Sequence, residues 1–392
     1  MTKHQSKIEK LIAELCPKGV QSFGVGEVCN ISRGRVMSKD YLKANEGEYP
    51  VYSSQTANDG IFGKINVFDY DGEYVTWTTD GANAGSVFYR NGKFSITNVC
   101  GLLKPKKNDL NTKFLSYILG TRAKSYVNAG MGNPKLMSNV MATIEIPIPP
   151  LAVQEEIVKI LNSFTELEAE LEAELEARNK QYKYYRDKLL DIKDAEYKSL
   201  GEIGTLIRGG GLQKKDFVQE GVGCIHYGQI YTYYGTFADK TKSFVSPELA
   251  KKLKKAQKGD VLIAGVSENI EDVCKPLGWL GDEICISGDM FAFRHNQNTK
   301  FITYLLQTTN FHKYKEKYAQ GAKVTRVKAD KILNFKIPVP SLEEQERIVS
   351  ILDKFDVLTN DISIGLPAER RARRSQYEYY RGKLLTFNEY VN

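Results

Sequence analysis

The sequence predicts an α+β chain: two mixed α/β globular blocks in a pseudo-twofold arrangement, joined by two long helices. Three observations carry this. Ile146, Pro147, Pro149, Gln154, Ile157, Leu161 and Phe164 return 191 positions later as Ile337, Pro338, Pro340, Gln345, Ile348, Leu352 and Phe355. Tyr184-Tyr185-Arg186 with Lys188-Leu189-Leu190 returns, offset by 195, as Tyr379-Tyr380-Arg381 with Lys383-Leu384-Leu385. The blocks ahead of the repeats share a frame: Gly26-Glu27-Val28, Arg33-Gly34 and Lys39-Asp40-Tyr41 match Gly201-Glu202-Ile203, Arg208-Gly209 and Lys215-Asp216-Phe217. At 392 residues, more than one core is expected.

Taken in order, residues 1–16 read as a short amphipathic helix bearing Ile8, Leu11, Ile12 and Leu15. Residues 17–150 form the first block. Its alternating runs at Tyr49 to Tyr52, Ile61 to Phe68, Tyr74 to Thr78 and Ser86 to Tyr89 are strand-like, with turns expected at Asp59-Gly60, Asp71-Gly72 and Asn91-Gly92. Residues 151–193 form the first long helix, entered through Pro149-Pro150. Residues 194–340 form the second block, with a strand after Gly259-Asp260 and others near Cys224 and Met290. Residues 341–392 form the second long helix, where Ser341 with Glu344 spells a capping box.

Both helices carry a narrow apolar stripe with steps of three and four: Ile157, Ile160, Phe164, Leu167, Leu171, and Ile348, Ile351, Phe355, Leu358, Ile362. It resumes as Tyr182, Tyr185, Leu189, Ile192 and as Tyr377, Tyr380, Leu384, Phe387. That spacing is a coiled-coil seam, satisfied by pairing the two copies with each other or with a second chain. The second copy carries four extra residues around Gly365-Leu366-Pro367, which permits a kink at Pro367. The helices then act as a ruler between the blocks.

Charge is distributed unevenly. Residues 1–150 hold 18 basic and 13 acidic side chains and residues 196–336 hold 22 and 15, whereas the helical stretches are acidic or near neutral. Basic blocks fit a polyanionic target, or a lysine excess kept for solubility. Arg370-Arg371-Ala372-Arg373-Arg374 has no counterpart in the first copy; a polyanion backbone, an acidic partner surface and plain solvation are all open for it. No apolar run reaches bilayer length, and the six cysteines form no CxxC pair, so a cytoplasmic protein with reduced thiols is expected.

No phosphate loop, amino-methyltransferase motif, HExxH, metal cluster or nucleophile triad stands out. The expectation is a chain that binds and positions without catalysing.

The doubled IPxPxLxxQExIVxIL and YYRxKLL elements, with Ala264-Gly265-Val266-Ser267-Glu268-Asn269 and Glu271-Asp272, resemble the specificity subunit of type I restriction–modification systems. The resemblance implies two target-recognition domains, each reading half of a gapped DNA site. It also implies an antiparallel helical spacer docking two methyltransferase subunits, with motor–nuclease subunits joining for restriction. No cofactor is expected in this chain; S-adenosylmethionine would sit on the methyltransferase partner. A scaffold that clamps two proteins without reading DNA, and an enzyme with an unrecognised centre, are the competing readings.

Polar loops between strands are where such readers carry base and phosphate contacts. The first block offers Lys39, Tyr41, Ser53, Ser54, Gln55, Thr79, Asp80, Asn83 and Lys135. The second offers Arg208, Gln213, Lys214, Lys215, His226, Tyr227, Gln229, Tyr231, Ser267, Glu268, Asn269, Lys323 and Arg326. For partner docking the seam gives Ile157, Phe164, Tyr182, Tyr185, Leu189, Ile348, Phe355, Tyr377, Tyr380 and Leu384.

Overall fold

The computed structural model describes residues 6–130, 132–321, 323–360 and 364–391, so Ile362 of the seam and the first five residues of the N-terminal segment lie outside the described residues. The chain divides into two compact units, Met1–Glu168 with Arg373–Asn392, and Ala169–Ala372.

In the first unit a six-stranded sheet runs, edge to edge, Cys29–Arg33, Cys100–Pro105, Tyr70–Thr78, Val87–Ile96, Glu46–Tyr52, Ile61–Ile65. Only the contact between Val87–Ile96 and Glu46–Tyr52 is parallel. Val75, Trp77 and Leu103 of the sheet bury against Phe114, Leu115, Ile118 and Leu119 of helix Thr112–Arg122. Ile157 and Leu161, from the start of helix Leu151–Leu190, and Leu384 and Leu385 close the same core. Asp59-Gly60 does sit in a turn, within Ala57–Gly60. Asp71-Gly72 and Asn91-Gly92 do not: they lie inside paired strands, Gly72 directly opposite Gly92. The two glycines take left-handed φ of 113° and 96° across from each other, so residues that spell a turn here twist a long ribbon instead.

In the second unit a five-stranded sheet runs Gly204–Arg208, Met290–His295, Val261–Ala264, Pro276–Trp279, Phe237–Ala238. This repeats the first five positions of the other sheet, including the single parallel contact, here between Phe237–Ala238 and Pro276–Trp279. A four-stranded sheet of Ser243–Val245, Val222–Ile225, Ile284–Ile286 and Lys255–Ala256 is added.

The repeated IPxP segments do the same work in each unit. Glu145–Pro147 pairs with Ser22–Gly24, and Lys336–Pro338 pairs with Tyr197–Ser199. The repeated glutamine then clamps a neighbouring helix start. Buried Gln154 accepts from Asn111 N (2.8 Å) and donates to the carbonyls of Asp109 (2.8 Å) and Pro149 (2.7 Å). Buried Gln345 accepts from Asn298 N (3.0 Å) and donates to Gln297 Oε1 (2.8 Å) and the Pro340 carbonyl (2.9 Å). Asn111 and Asn298 cap the helices they begin.

Helix Leu151–Leu190 is continuous for 40 residues, about 60 Å. The second copy is broken rather than kinked: one helix spans Leu342–Asn360, and another begins at Leu366, with Pro367 in its first turn. Only half of the expected capping box forms. Ser341 Oγ accepts from Glu344 N at 3.3 Å, but the Glu344 carboxylate takes two guanidinium bonds from Arg347, each 2.7 Å, because a charge-assisted pair outcompetes the backbone.

The seam closes within the chain and runs antiparallel. In the first unit Phe164 stacks on Tyr380, with centroids 5.5 Å apart, and Arg374 bonds Glu168 at 3.1 Å. In the second, Phe355 stacks on Tyr185 and Tyr182, and Arg370 bonds Glu172 at 3.0 Å. Two arginines of the basic cluster are thus paired to the acidic face of the opposite helix. Four of the ten seam residues named for partner docking, Ile157, Tyr182, Ile348 and Leu384, are buried in the units' own cores and present no surface to a partner.

Among the described residues no helix is long and apolar enough to cross a membrane, and no group of three or more His, Cys, Asp or Glu could hold a metal ion. All six cysteines are unpaired, and burial pushes the Cys29, Cys100, Cys224 and Cys274 thiols up to about 12.

Candidate nucleic-acid interface

The central strands of the two units end in one construction, made twice. In the first unit Arg33 closes its strand opposite Gly101, and its Nη2 donates to Thr79 Oγ1 (2.7 Å) and the Asn98 carbonyl (2.6 Å). Thr79 N donates to the Val99 carbonyl, Asp80 pairs with Lys135, and Lys135 exchanges both backbone bonds with Asn128. In the second unit Arg208 closes its strand opposite Phe291, and its Nε donates to the Gly288 carbonyl at 3.1 Å. Gly265 N donates to the Asp289 carbonyl, Val266 pairs with Arg326, and Arg326 exchanges both backbone bonds with Gln320.

Each unit therefore presents a short hairpin, ending at Lys135 or Arg326, beside an arginine at a strand end. The second hairpin turns at Gly321, with φ +118°, where an added Cβ would meet the Val324 carbonyl at 2.1 Å. Lys135, Lys323 and Arg326 are exposed. A tight, glycine-turned, cationic hairpin is suited to a duplex backbone, because its charges are held out from a fixed main chain.

The remaining predicted residues divide by what already occupies them. Lys39, Asn83, Gln213, Lys214, Lys215 and Glu268 are exposed; Ser54 and Tyr227 are half-buried. Tyr41 accepts from Arg35 Nη1 at 3.0 Å and Ser53 from Thr97 Oγ1 at 2.9 Å. Gln55 Nε2 donates to the Ile61 carbonyl. His226 Nδ1 accepts from Gly228 N, and burial lowers its pKa, with Lys214 adding to the effect. Gln229 bonds His226 N and Ser243 Oγ, and Tyr231 donates to the Val266 carbonyl at 2.7 Å. Asn269 bonds Asp272 N and Oδ2.

Two residues require correction. Thr79 is fully buried beneath Arg33, and Ser267 is buried and caps Asn269 N at 3.3 Å, so neither faces a ligand. Their polar side chains serve the loop's own main chain, which the sequence pattern does not distinguish from a reading role. Sequence reasoning passed over Asp289, Phe291 and Lys328, and took Arg33 only as frame. The doubled Arg33-Gly34 and Arg208-Gly209 pairs were the available signal for the strand-end arginine.

Comparison with known proteins matches this doubling. The family model for the type I restriction modification DNA specificity domain fits residues 17–177 and again 192–369. The chain is 34% identical over 375 residues to a putative type I specificity subunit of Mycoplasma pneumoniae, S.MpnORF507P, covering 94% of this chain and 98% of that protein. It is 45% identical over 192 residues to the type I restriction enzyme MpnII specificity subunit of the same organism, covering 48% of this chain and 57% of that one. Its fold resembles a type I restriction–modification S subunit from M. genitalium, with TM-score 0.54 and 18% identity over 93% of this chain and 96% of that one. A chain from a structural study of type I R-M complex assembly gives TM-score 0.60 and 16% identity over 94% and 97%. With two copies of the family's domain along most of its length, the chain belongs to the type I restriction–modification DNA specificity family.

Proposed function

We propose that this chain supplies DNA sequence specificity to a type I restriction–modification complex, each globular unit reading one half of a bipartite, gapped site. The observation that carries the reading is the repeated strand-end arginine and cationic hairpin on two sheets of one strand order. Residues 17–150 and 194–340 are the recognition domains in this reading. Lysine and arginine neutralise phosphates, and polar groups between them meet base edges. The helices dock two methyltransferase subunits through side chains left outside, among them Tyr184, Tyr185, Tyr379 and Tyr380, and motor–nuclease subunits complete the complex. The chain itself is non-catalytic and works in the cytoplasm; S-adenosylmethionine and the methyl transfer belong to the partner.

The test is salt-dependent binding. Lys323→Ala should weaken binding to every duplex alike and reduce the log–log salt slope by about 1. An unchanged slope removes Lys323 from the interface, and a wild-type chain with no salt slope favours a protein-clamping scaffold.

A further inference from the structure

A cavity of about 370 Å³ opens beside the second hairpin, walled by Arg208, Asp289, Phe291, Arg326 and Lys328 among others. It sets three cations around one carboxylate. Asp289 Oδ1 lies 4.0 Å from Arg326 Nη2, beyond hydrogen-bond range, and the two side chains are 41% and 62% exposed. The carboxylate is thus held near arginine without being consumed by it.

A carboxylate is an awkward group to place on a surface that meets phosphates, because it repels them. It becomes favourable where the target offers a donor. On the major-groove edge of a duplex the only donors are the exocyclic amino groups, adenine N6 and cytosine N4. We propose that Asp289 is a base-reading residue, accepting a hydrogen bond from such an amino group while Arg208 and Arg326 neutralise the flanking backbone.

The first unit repeats this charge set from a neighbouring strand, with Asp80 next to the Arg33 partner Thr79 and paired through its main chain with Lys135. There, among the described residues, Asp80 Oδ1, Arg33 Nε and Ser138 Oγ are buried with no hydrogen-bond partner.

This assignment rests on the proposed DNA-reading function, and the test separates the two. The full chain, assembled with its modification subunits, is challenged with a library of randomised duplexes, and base preference is scored at every position. Asp289→Ala, which removes both acceptor oxygens, should abolish preference for adenine or cytosine at a single position of one half-site, by about tenfold or more, leaving the other half-site unchanged. Binding to random duplex should stay the same or rise, since a negative charge is lost. The base lost tells adenine from cytosine. A variant keeping the wild-type preference at every position overturns the assignment alone. A wild-type complex with no sequence preference overturns the reading beneath it as well. Asp289→Glu, which keeps the charge but displaces it, should retain binding with altered preference at that same position; a Glu variant identical to wild type counts against the assignment.

Discussion

Gln345→Leu should lower the stability of the second unit by about 2–5 kcal/mol. The side chain is fully buried and makes three hydrogen bonds, tying the start of helix Thr299–Leu305 to the turn that launches Leu342–Asn360. Leucine fills much of the volume but leaves Asn298 N and the Pro340 carbonyl without their partner, and each stranded group costs about 1–3 kcal/mol. The chain has two tryptophans, Trp77 and Trp279, both buried and one in each unit. In a Trp77→Phe background, fluorescence during urea denaturation therefore reports the second unit alone. A shift below about 0.5 kcal/mol, the usual scatter of surface substitutions, would show that water replaces the glutamine at little cost.

That glutamine also marks how far the sequence could be read. Gln154 and Gln345 fall at one offset with the IPxP segments and the seam residues Phe164 and Phe355, so the doubled architecture and the seam were legible from spacing, which left open whether the copies pair with each other or with a second chain. What was not legible depends on partners distant in sequence. Gly72 and Gly92 each look like a turn, and only their pairing across two strands makes them a twisted ribbon. Thr79 and Ser267 look like loop polars, and only the approach of Arg33 and the fold of Asn269 onto the chain bury their roles. Asp289 was missed because its significance lies in Arg208 and Arg326, one about eighty residues before it and the other almost forty after.

The second large effect is on acid stability. His295 ends strand Met290–His295, its ring 5.1 Å from that of Phe293. Its Nδ1 accepts from Gln297 N at 3.1 Å, and among the described residues its buried Nε2 has no partner. Burial pushes the imidazole down from 6.5 to about 4, against a weaker opposing pull from Asp260. Because the folded value is depressed, the unfolded chain binds the proton first. Stability from this group is present above pH 6.5 and is lost as pH falls toward 4, roughly 3 kcal/mol in all. His295→Asn, which can still accept from Gln297, has no such titration. The stability gap between wild type and variant, followed through Trp279, should therefore change by about that amount between pH 7 and pH 4. Parallel curves across this window would mean that the imidazole is solvated or protonated in the fold.

The central claim is that two units of one chain read two halves of one site. It is tested most directly by mapping methylated bases across the genome of a host that carries the modification subunits, with and without this chain. The account predicts that one motif disappears with the chain: two short defined half-sites separated by a spacer of fixed length and free sequence. An unchanged map, or the loss of a continuous motif with no spacer, would contradict it.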